Sequence, residues 1–162
     1  MKILFAFFLC LAQFALSPAY AAGNDVAVTM QAFQVLTTAN GIELVPTDAA
    51  KPGDTIEYRV AYSNTGKAPV RGIVATLPVP ASGMAYVPES ATPAAVLASL
   101  DGKTFAPVPL QRVVLRNGRS VTETVPATEY RFLRWTLGEL GAGQSATVKS
   151  RMRLNVSNRI EQ

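Results

Sequence analysis

The chain has 162 residues, with 15 Lys and Arg against 11 Asp and Glu, a formal net charge of +4, one Cys and no His. This length predicts one domain, or two at most. Without His the chain lacks the commonest general base and the commonest metal ligand, and a single Cys excludes an intramolecular disulfide and Cys-rich zinc sites. The composition therefore disfavours most catalytic chemistry, and we expect neither a metal nor a cofactor.

The N-terminus has the three parts of a secretory signal peptide. Lys2 supplies the positive charge, residues 3–16 form an almost unbroken apolar run, and Ala19-Tyr20-Ala21 is a small-x-small cleavage site. The apolar run is shorter than the roughly 20 residues that span a membrane. We therefore predict a signal peptide at residues 1–21 that is cleaved after Ala21. The alternative is an N-terminal anchor that stays uncut.

The predicted mature protein is a single domain over residues 22–162. It loses Lys2 and Cys10, so its net charge falls to +3 and it has neither Cys nor His. No second apolar run is long enough to span a membrane. We therefore expect an exported protein, periplasmic or secreted, with no membrane span after cleavage. A domain of this size can build a stable core without disulfides.

The first half of the mature chain is divided by turn residues into short segments with the alternation of β-strands. The predicted strands lie at 25–37, 42–45, 55–63, 70–77 and 83–87. The third alternates most regularly, with Ile56 and Val60 on one face and Glu57 and Arg59 on the other. The Ala-rich residues 91–100 are expected to form one helical turn or an irregular crossing.

The second half contains the clearest hairpin signal. Asn117-Gly118 separates the strand-like segments 111–116 and 119–125, and this dipeptide suits a two-residue type I′ turn. Two further strands are predicted at 129–137 and 145–156, the first of which carries the only Trp. With seven to nine short strands and almost no helical periodicity, the chain is predicted to be all-β, an immunoglobulin-like β-sandwich.

Three groups of segments resemble a known family of bacterial surface repeats. They are KPGDTIEY at 51–58 with NTG at 64–66, LP at 77–78 with MAYV at 84–87, and RWTLG at 134–138 with LGAGQSATV at 140–148. The family is the conserved repeat domain, the eleventh family of domains of unknown function. The resemblance spans roughly residues 26–156 as a single copy. It implies an immunoglobulin-like fold with a structural or adhesive role, and it supplies no catalytic residues.

Catalytic constellations have little support in this sequence. Ser145 and Lys149 are four residues apart on one predicted strand, a separation of more than about 10 Å, and no His is present to activate the serine. The carboxylates are scattered among turns and solvent faces rather than paired in one segment. Calcium could use the turn at Asp101-Gly102, but the chain has no Asp-x-Asp-x-Asp series. We therefore predict no catalytic, cofactor or metal site.

The outward faces of the last two predicted strands suggest a binding surface. In 145–156 the outward residues include three cations, and in 129–137 they include two aromatic residues and one cation. In an immunoglobulin-like sandwich these strands would be neighbours in one sheet, so their outer faces would merge. The predicted partner-binding face consists of Tyr130, Phe132, Arg134, Lys149, Arg151 and Arg153. Its plain alternative is a solvated sheet face whose charges are spread apart by the sheet twist.

Two classes of function follow from these features. The first is a non-enzymatic structural or interaction module of the bacterial cell envelope, with an envelope protein as its partner. The second is a binding module for an anionic envelope polymer or a carbohydrate, because aromatic rings stack and Arg forms bidentate contacts with oxyanions. Export disfavours nucleic acid as the partner. A fimbrial subunit would need a missing strand and, usually, a disulfide, and an enzyme would need the residues excluded above.

Overall fold

The computed structural model describes residues 25–81 and 83–156, and the predicted signal peptide at residues 1–21 lies outside them. The described chain is all-β, with eleven strands and one short 3-10 helix at Ala127–Glu129. The strands are β1 (Val26–Thr38), β2 (Gly41–Pro46), β3 (Thr55–Asn64), β4 (Val70–Pro78), β5 (Met84–Tyr86), β6 (Leu97–Ser99), β7 (Ala106–Pro107), β8 (Gln111–Arg116), β9 (Arg119–Thr124), β10 (Phe132–Leu140) and β11 (Ser145–Leu154). None of the described residues forms a helix that is long and apolar enough to cross a membrane.

Two antiparallel sheets pack face to face as a sandwich. One has the strand order β2-β1-β3-β11-β5, and the other has the order β4-β10-β6-β7. The core between them takes Ile56 and Val148 from the first sheet and Leu133 and Trp135 from the second, all at most 2% exposed. The Trp135 indole N–H donates to the Pro93 carbonyl at 2.9 Å, which satisfies its one polar atom inside the core.

Two strands were not predicted. β6 and β7 have three and two residues, and they extend the four-stranded sheet beyond β10. The expected helical turn at 91–100 is wrong over Leu97–Ser99, because these residues pair with β10. Such short strands are defined by a distant partner rather than by a local pattern. The described part of the chain therefore has eleven strands instead of seven to nine.

The last two long strands lie in different sheets, so the prediction that they are neighbours was wrong. β10 pairs with β4 and β6, whereas β11 pairs with β3 and β5. The turn between them is held by Asn64, whose backbone N–H donates to the Gln144 carbonyl and whose side-chain amide donates to the Leu140 carbonyl, both at 2.9 Å. The apolar faces of β10 and β11 meet across the core, and their outer faces consequently point in opposite directions.

The hairpin of β8 and β9 forms as the sequence predicts. Asn117 and Gly118 adopt φ angles of 51° and 75°, as a type I′ turn requires, and Arg116 lies opposite Arg119. The hairpin forms a separate two-stranded sheet rather than joining either layer of the sandwich.

Candidate functional site

The structure divides the predicted binding face between two opposite surfaces. The first three residues lie at or before β10, in or next to the four-stranded sheet: Tyr130, Phe132 and Arg134. The other three lie on β11, in the five-stranded sheet: Lys149, Arg151 and Arg153. A single aromatic and basic patch made of all six residues is therefore not formed.

The β10 side of the predicted face is occupied by structural contacts. Tyr130 is 3% exposed, lies in the core and accepts a hydrogen bond from the Leu110 N–H at 2.9 Å. Phe132 packs so closely over Gly102 that a Cβ there would lie 2.8 Å from its ring. The Arg134 guanidinium lies 3.4 Å from the centroid of the Phe105 ring. The segment around 101–105 therefore covers this face, which removes it as an open binding surface.

The β11 side keeps its outward row of cations. Val148, Ser150 and Met152 are buried, whereas Lys149 and Arg151 are half-buried. Arg153 continues this row and is exposed. The alternation of β11 therefore has the orientation that the sequence predicts.

A buried carboxylate organises the cations of this face. Glu57 points outward from β3, yet only 6% of its surface is exposed. Arg59 approaches its Oε1 with Nε at 2.8 Å and Nη2 at 2.7 Å, and Arg151 approaches its Oε2 with Nε at 2.9 Å. The other side of Arg59 rests on the Phe33 ring, with Cζ 4.7 Å from the ring centroid. The carboxylate and the ring together hold the two guanidinium groups in place.

The ionisation of Glu57 follows from these contacts. Burial alone raises the pKa of its carboxyl, but the hydrogen bonds from Arg59 and Arg151 and their positive charges outweigh burial, so the net pKa lies below the ordinary value. The carboxylate therefore stays ionised at neutral pH. It neutralises one of the two guanidinium charges beside it.

These residues line a polar groove on the outer face of the five-stranded sheet. Its volume is about 420 Å³, and it is lined by Leu44, Glu57, Arg59, Glu89, Ser90, Thr92, Lys149 and Arg151. Lys149 lies opposite Arg59 in the register of β3 and β11. Its ammonium group forms no salt bridge with the residues that the structure describes. We call this feature the basic groove.

One wall of the basic groove is a loop that runs along the edge of β11. The backbone of Thr92 exchanges two hydrogen bonds with Lys149, at 2.9 and 2.8 Å. The Ser90 hydroxyl accepts from the Arg151 N–H at 2.9 Å and donates to the Val87 carbonyl at 2.6 Å. These bonds fix the loop, and they also fix the strand from which Lys149 and Arg151 project.

The groove offers hydrogen-bond donors rather than reactive groups. Arg151 uses only its Nε on Glu57, so its two terminal nitrogens make no hydrogen bond with described residues. Together with the Lys149 ammonium they can hold an oxyanion. Within residues 25–81 and 83–156, no cluster of three or more His, Cys, Asp or Glu is placed to hold a metal ion.

A second cavity lies at the base of the β8–β9 hairpin. It has a volume of about 500 Å³ and is mostly apolar, with Tyr86, Pro88, Pro109, Val125, Pro126 and Tyr130 among its lining residues. The rings of Tyr86 and Tyr130 stack with their centroids 6.1 Å apart. Glu89 lines both this cleft and the basic groove. Nothing in the local sequence pattern predicts the cleft, because three separate segments, 86–94, 108–109 and 124–130, converge to form it.

Sequence reasoning also missed the centre of the basic groove. The alternation over 55–63 places Glu57 and Arg59 on the solvent side of β3, which is where they are found. Their pairing with Arg151 needed the register between β3 and β11, and that register joins residues that are far apart in the chain. Comparison of the chain with models of protein families, with curated proteins and with solved structures finds no match.

Proposed function

We propose that this protein is an exported, non-enzymatic binding module of the bacterial cell envelope, whose immunoglobulin-like sandwich presents the basic groove to an anionic partner. The signal-like N-terminus supports export, and the resemblance to the conserved repeat domain supports an envelope role. The proposed location is the periplasm or the exterior. The chain's lack of His disfavours an enzyme.

The observation that carries the proposal is the buried Glu57 carboxylate between Arg59 and Arg151. A buried ion cluster is a weak source of stability, because the cost of removing charges from water offsets most of their attraction. Apolar side chains of similar volume would stabilise this position as well or better. The cluster does, however, hold two guanidinium groups in fixed positions, as a recognition site requires.

The donors of the groove favour an oxyanion as the bound group. Arg151 has two terminal nitrogens free of described partners, and Lys149 adds an ammonium group to the same groove. The groove is shallow and lies on an open sheet face, so it suits one phosphate, sulfate or carboxylate group of a larger molecule. An acidic polysaccharide or another anionic envelope polymer presents such groups repeatedly, and each group can occupy the groove in turn.

A broader version of the proposal has an envelope protein as the partner. In this version the protein is likewise exported and has the same sandwich, but the group that it binds belongs to a protein. An acidic segment of a protein could use the same groove. The two versions are separated by whether a polymer without any protein is retained.

Retention on immobilised heparin, used as a polyanion without protein, tests the proposal. The wild-type protein should bind at low salt and elute in a salt gradient, and Lys149→Glu should elute at clearly lower salt. Arg71→Glu is the matched control, because it makes the same charge change on β4, in the opposite sheet. Equal weakening by both variants would reduce the effect to net charge, and absence of retention in the wild type would refute the anionic partner.

A further inference from the structure

The β8–β9 hairpin is a strand pair that neither sheet covers. Its two strands pair only with each other, so within the described part of the chain both outer edges lack a strand partner. Val113 and Leu115 on one face are 69% and 76% exposed, and Val121 on the other face is 42% exposed. Uncovered edges next to exposed apolar side chains are the features by which strands pair with further strands.

The hairpin is nevertheless tied to the sandwich. At its base the Val125 N–H donates to the Leu110 carbonyl at 2.9 Å, and Arg112 bonds Glu129 at 2.7 Å. Along one face, Arg112 and Arg116 both bond Glu123 at 2.8 Å. An isolated two-stranded hairpin is marginally stable in water. These bonds hold the hairpin as an ordered arm.

The turn determines which backbone groups lie along the free edges. Arg116 and Arg119 flank the two-residue turn, so they form the hydrogen-bonded pair that closes the hairpin. Since hydrogen-bonded and non-hydrogen-bonded pairs alternate, the N–H and C=O groups of Ser120 and Thr122 point away from β8. By the same rule, the N–H and C=O groups of Val113, which lies opposite Thr122, point outward along the free edge of β8.

The free edge of β9 is complementary to itself. In an antiparallel pair of two β9 strands with Val121 opposite Val121, Arg119 of one copy lies opposite Glu123 of the other. Ser120 then lies opposite Thr122, and these are the two residues whose backbone groups face outward. Arg119 has no salt bridge within the described part of the chain. Four backbone hydrogen bonds and a valine contact would form together, and each Arg119 would approach a Glu123 carboxylate that Arg112 and Arg116 of the other copy already bond.

The free edge of β8 has the opposite property. The equivalent pairing of two β8 strands about Val114 would place Arg112 of one copy opposite Arg116 of the other. Like charges directly opposite each other on a sheet are destabilising. The charges therefore favour self-pairing of β9 and oppose self-pairing of β8.

We propose that β9 binds the β9 strand of a second copy of this chain, antiparallel and two-fold symmetric about Val121. The product is a four-stranded sheet with the order β8-β9-β9-β8. The interface is small, so the dimer is weak and its population depends on protein concentration. This association uses a surface other than the basic groove and does not depend on the proposed function.

Sedimentation equilibrium over a concentration series of the purified protein tests the association. The wild type should show a monomer–dimer equilibrium. Thr122→Pro removes an outward N–H from each copy while leaving the β8–β9 ladder intact, so the dissociation constant should rise about tenfold or more. Val113→Pro makes the same change on the opposite edge and should leave the equilibrium unchanged. A monomer at every concentration, or equal effects of the two prolines, would overturn the proposal.

An exchange of charges tests the register. Arg119→Glu alone and Glu123→Arg alone should each weaken self-association. In a dimer of either variant, residues 119 and 123 of the two copies carry the same charge and face each other at two places. A mixture of the two variants should form a mixed dimer, since the two substituted side chains then face each other with opposite charges and the remaining pair keeps its native charges. Failure of the mixture to associate more strongly than either variant alone would show that the β9 strands do not pair in this register. If Glu123→Arg disorders the hairpin, the comparison of Thr122→Pro with Val113→Pro still shows which strand edge associates.

Discussion

Arg151 on β11 donates from its Nε to the Glu57 carboxylate on β3 over 2.9 Å, although 94 positions separate the two residues in the chain. The two residues lie opposite each other in the antiparallel register. Cross-strand ion pairs on a solvent face normally contribute well below about 1 kcal/mol. This one differs because Glu57 is almost fully covered and is shared with Arg59. The contact therefore links the folding of the sheet to the shape of the basic groove.

Removing the shared carboxylate should destabilise the fold strongly. Glu57→Ala leaves two guanidinium groups facing each other without a counter-ion, and because both are about a third exposed to water the loss should be about 2–3 kcal/mol. Glu57→Gln keeps an acceptor oxygen and should cost less. Urea denaturation measures the free energy of unfolding. Glu139→Ala is the control, because its partner Arg71 is well exposed and the loss should stay below about 1 kcal/mol. Equal costs at the two sites would contradict a structural role for the cluster.

Replacing the whole cluster should separate stability from binding. A triple variant with Leu at positions 57, 59 and 151 removes all three charges at once, so no charge is left unpaired. Its free energy of unfolding should equal that of the wild type or exceed it slightly, because no buried charge loses its partner. Its retention on heparin should fall clearly below that of the wild type, because two of the cations that line the basic groove are absent. A triple variant that folds and still binds heparin as tightly as the wild type would show that these residues are not the binding site.

The turn that moves the chain between the two sheets should depend on Asn64. Its side-chain NH2 group donates to the Ala68 and Leu140 carbonyls at 2.8 and 2.9 Å, and its side-chain oxygen accepts from the Gly66 N–H at 2.9 Å. Asn64→Ala leaves these backbone groups without their hydrogen-bond partners, so the free energy of unfolding should fall by about 2–4 kcal/mol. Asn40→Ala, in an exposed turn, should change stability by less than about 0.5 kcal/mol. Thermal unfolding of both variants compares them, and similar melting temperatures would contradict this role of Asn64.

The loop at 99–104 should make stability depend on acid pH. Hydrogen bonds from the backbone N–H groups of Thr104 and Lys103, together with the Ser99 hydroxyl, lower the pKa of Asp101 to about 2. The unfolded chain has a value of about 3.9. Because the folded pKa is the lower one, the stabilisation is complete above about pH 5, and it is lost progressively as pH falls through both values.

Asp101→Asn tests this dependence, because the amide oxygen keeps an acceptor that does not titrate in this range. The lowered pKa of Glu57 gives the wild type a second contribution of the same sign, so the comparison is between the two stability curves. The difference in the free energy of unfolding should shrink as pH falls from about 5 to about 2. Parallel curves over that range would contradict the assignment to Asp101.

Local alternation predicted several features of the sandwich. The buried parity of β11 and the type I′ hairpin at Asn117-Gly118 both follow from residues near in sequence. Each depends on the two-residue period of a strand or on the φ angles that a turn requires. Features of this kind can be identified without knowing which strands are neighbours.

The layer that a strand joins could not be predicted in the same way. β10 and β11 have the same alternation in either sheet, and only the Asn64-bound turn sends β11 across the core. Tyr130 was assigned to the outer face by parity, yet it precedes β10 and lies in the core beside Tyr86. Glu57 and Arg151 are brought into contact only by the register of β3 and β11, two strands that are far apart in the chain. The predicted face therefore had five residues with the correct outward parity, one residue, Tyr130, that lies in the core, and an incorrect neighbouring strand.

Amide chemical shifts measured by NMR show whether the basic groove is the site of anion binding. Titration with a short heparin oligosaccharide should shift the amides of Glu57, Arg59, Lys149 and Arg151 first and furthest, with changes that fade as salt is added. The cations at the hairpin tip serve as the internal comparison. Shifts concentrated at Arg116 and Arg119, or no shifts in β3 and β11, would contradict the account.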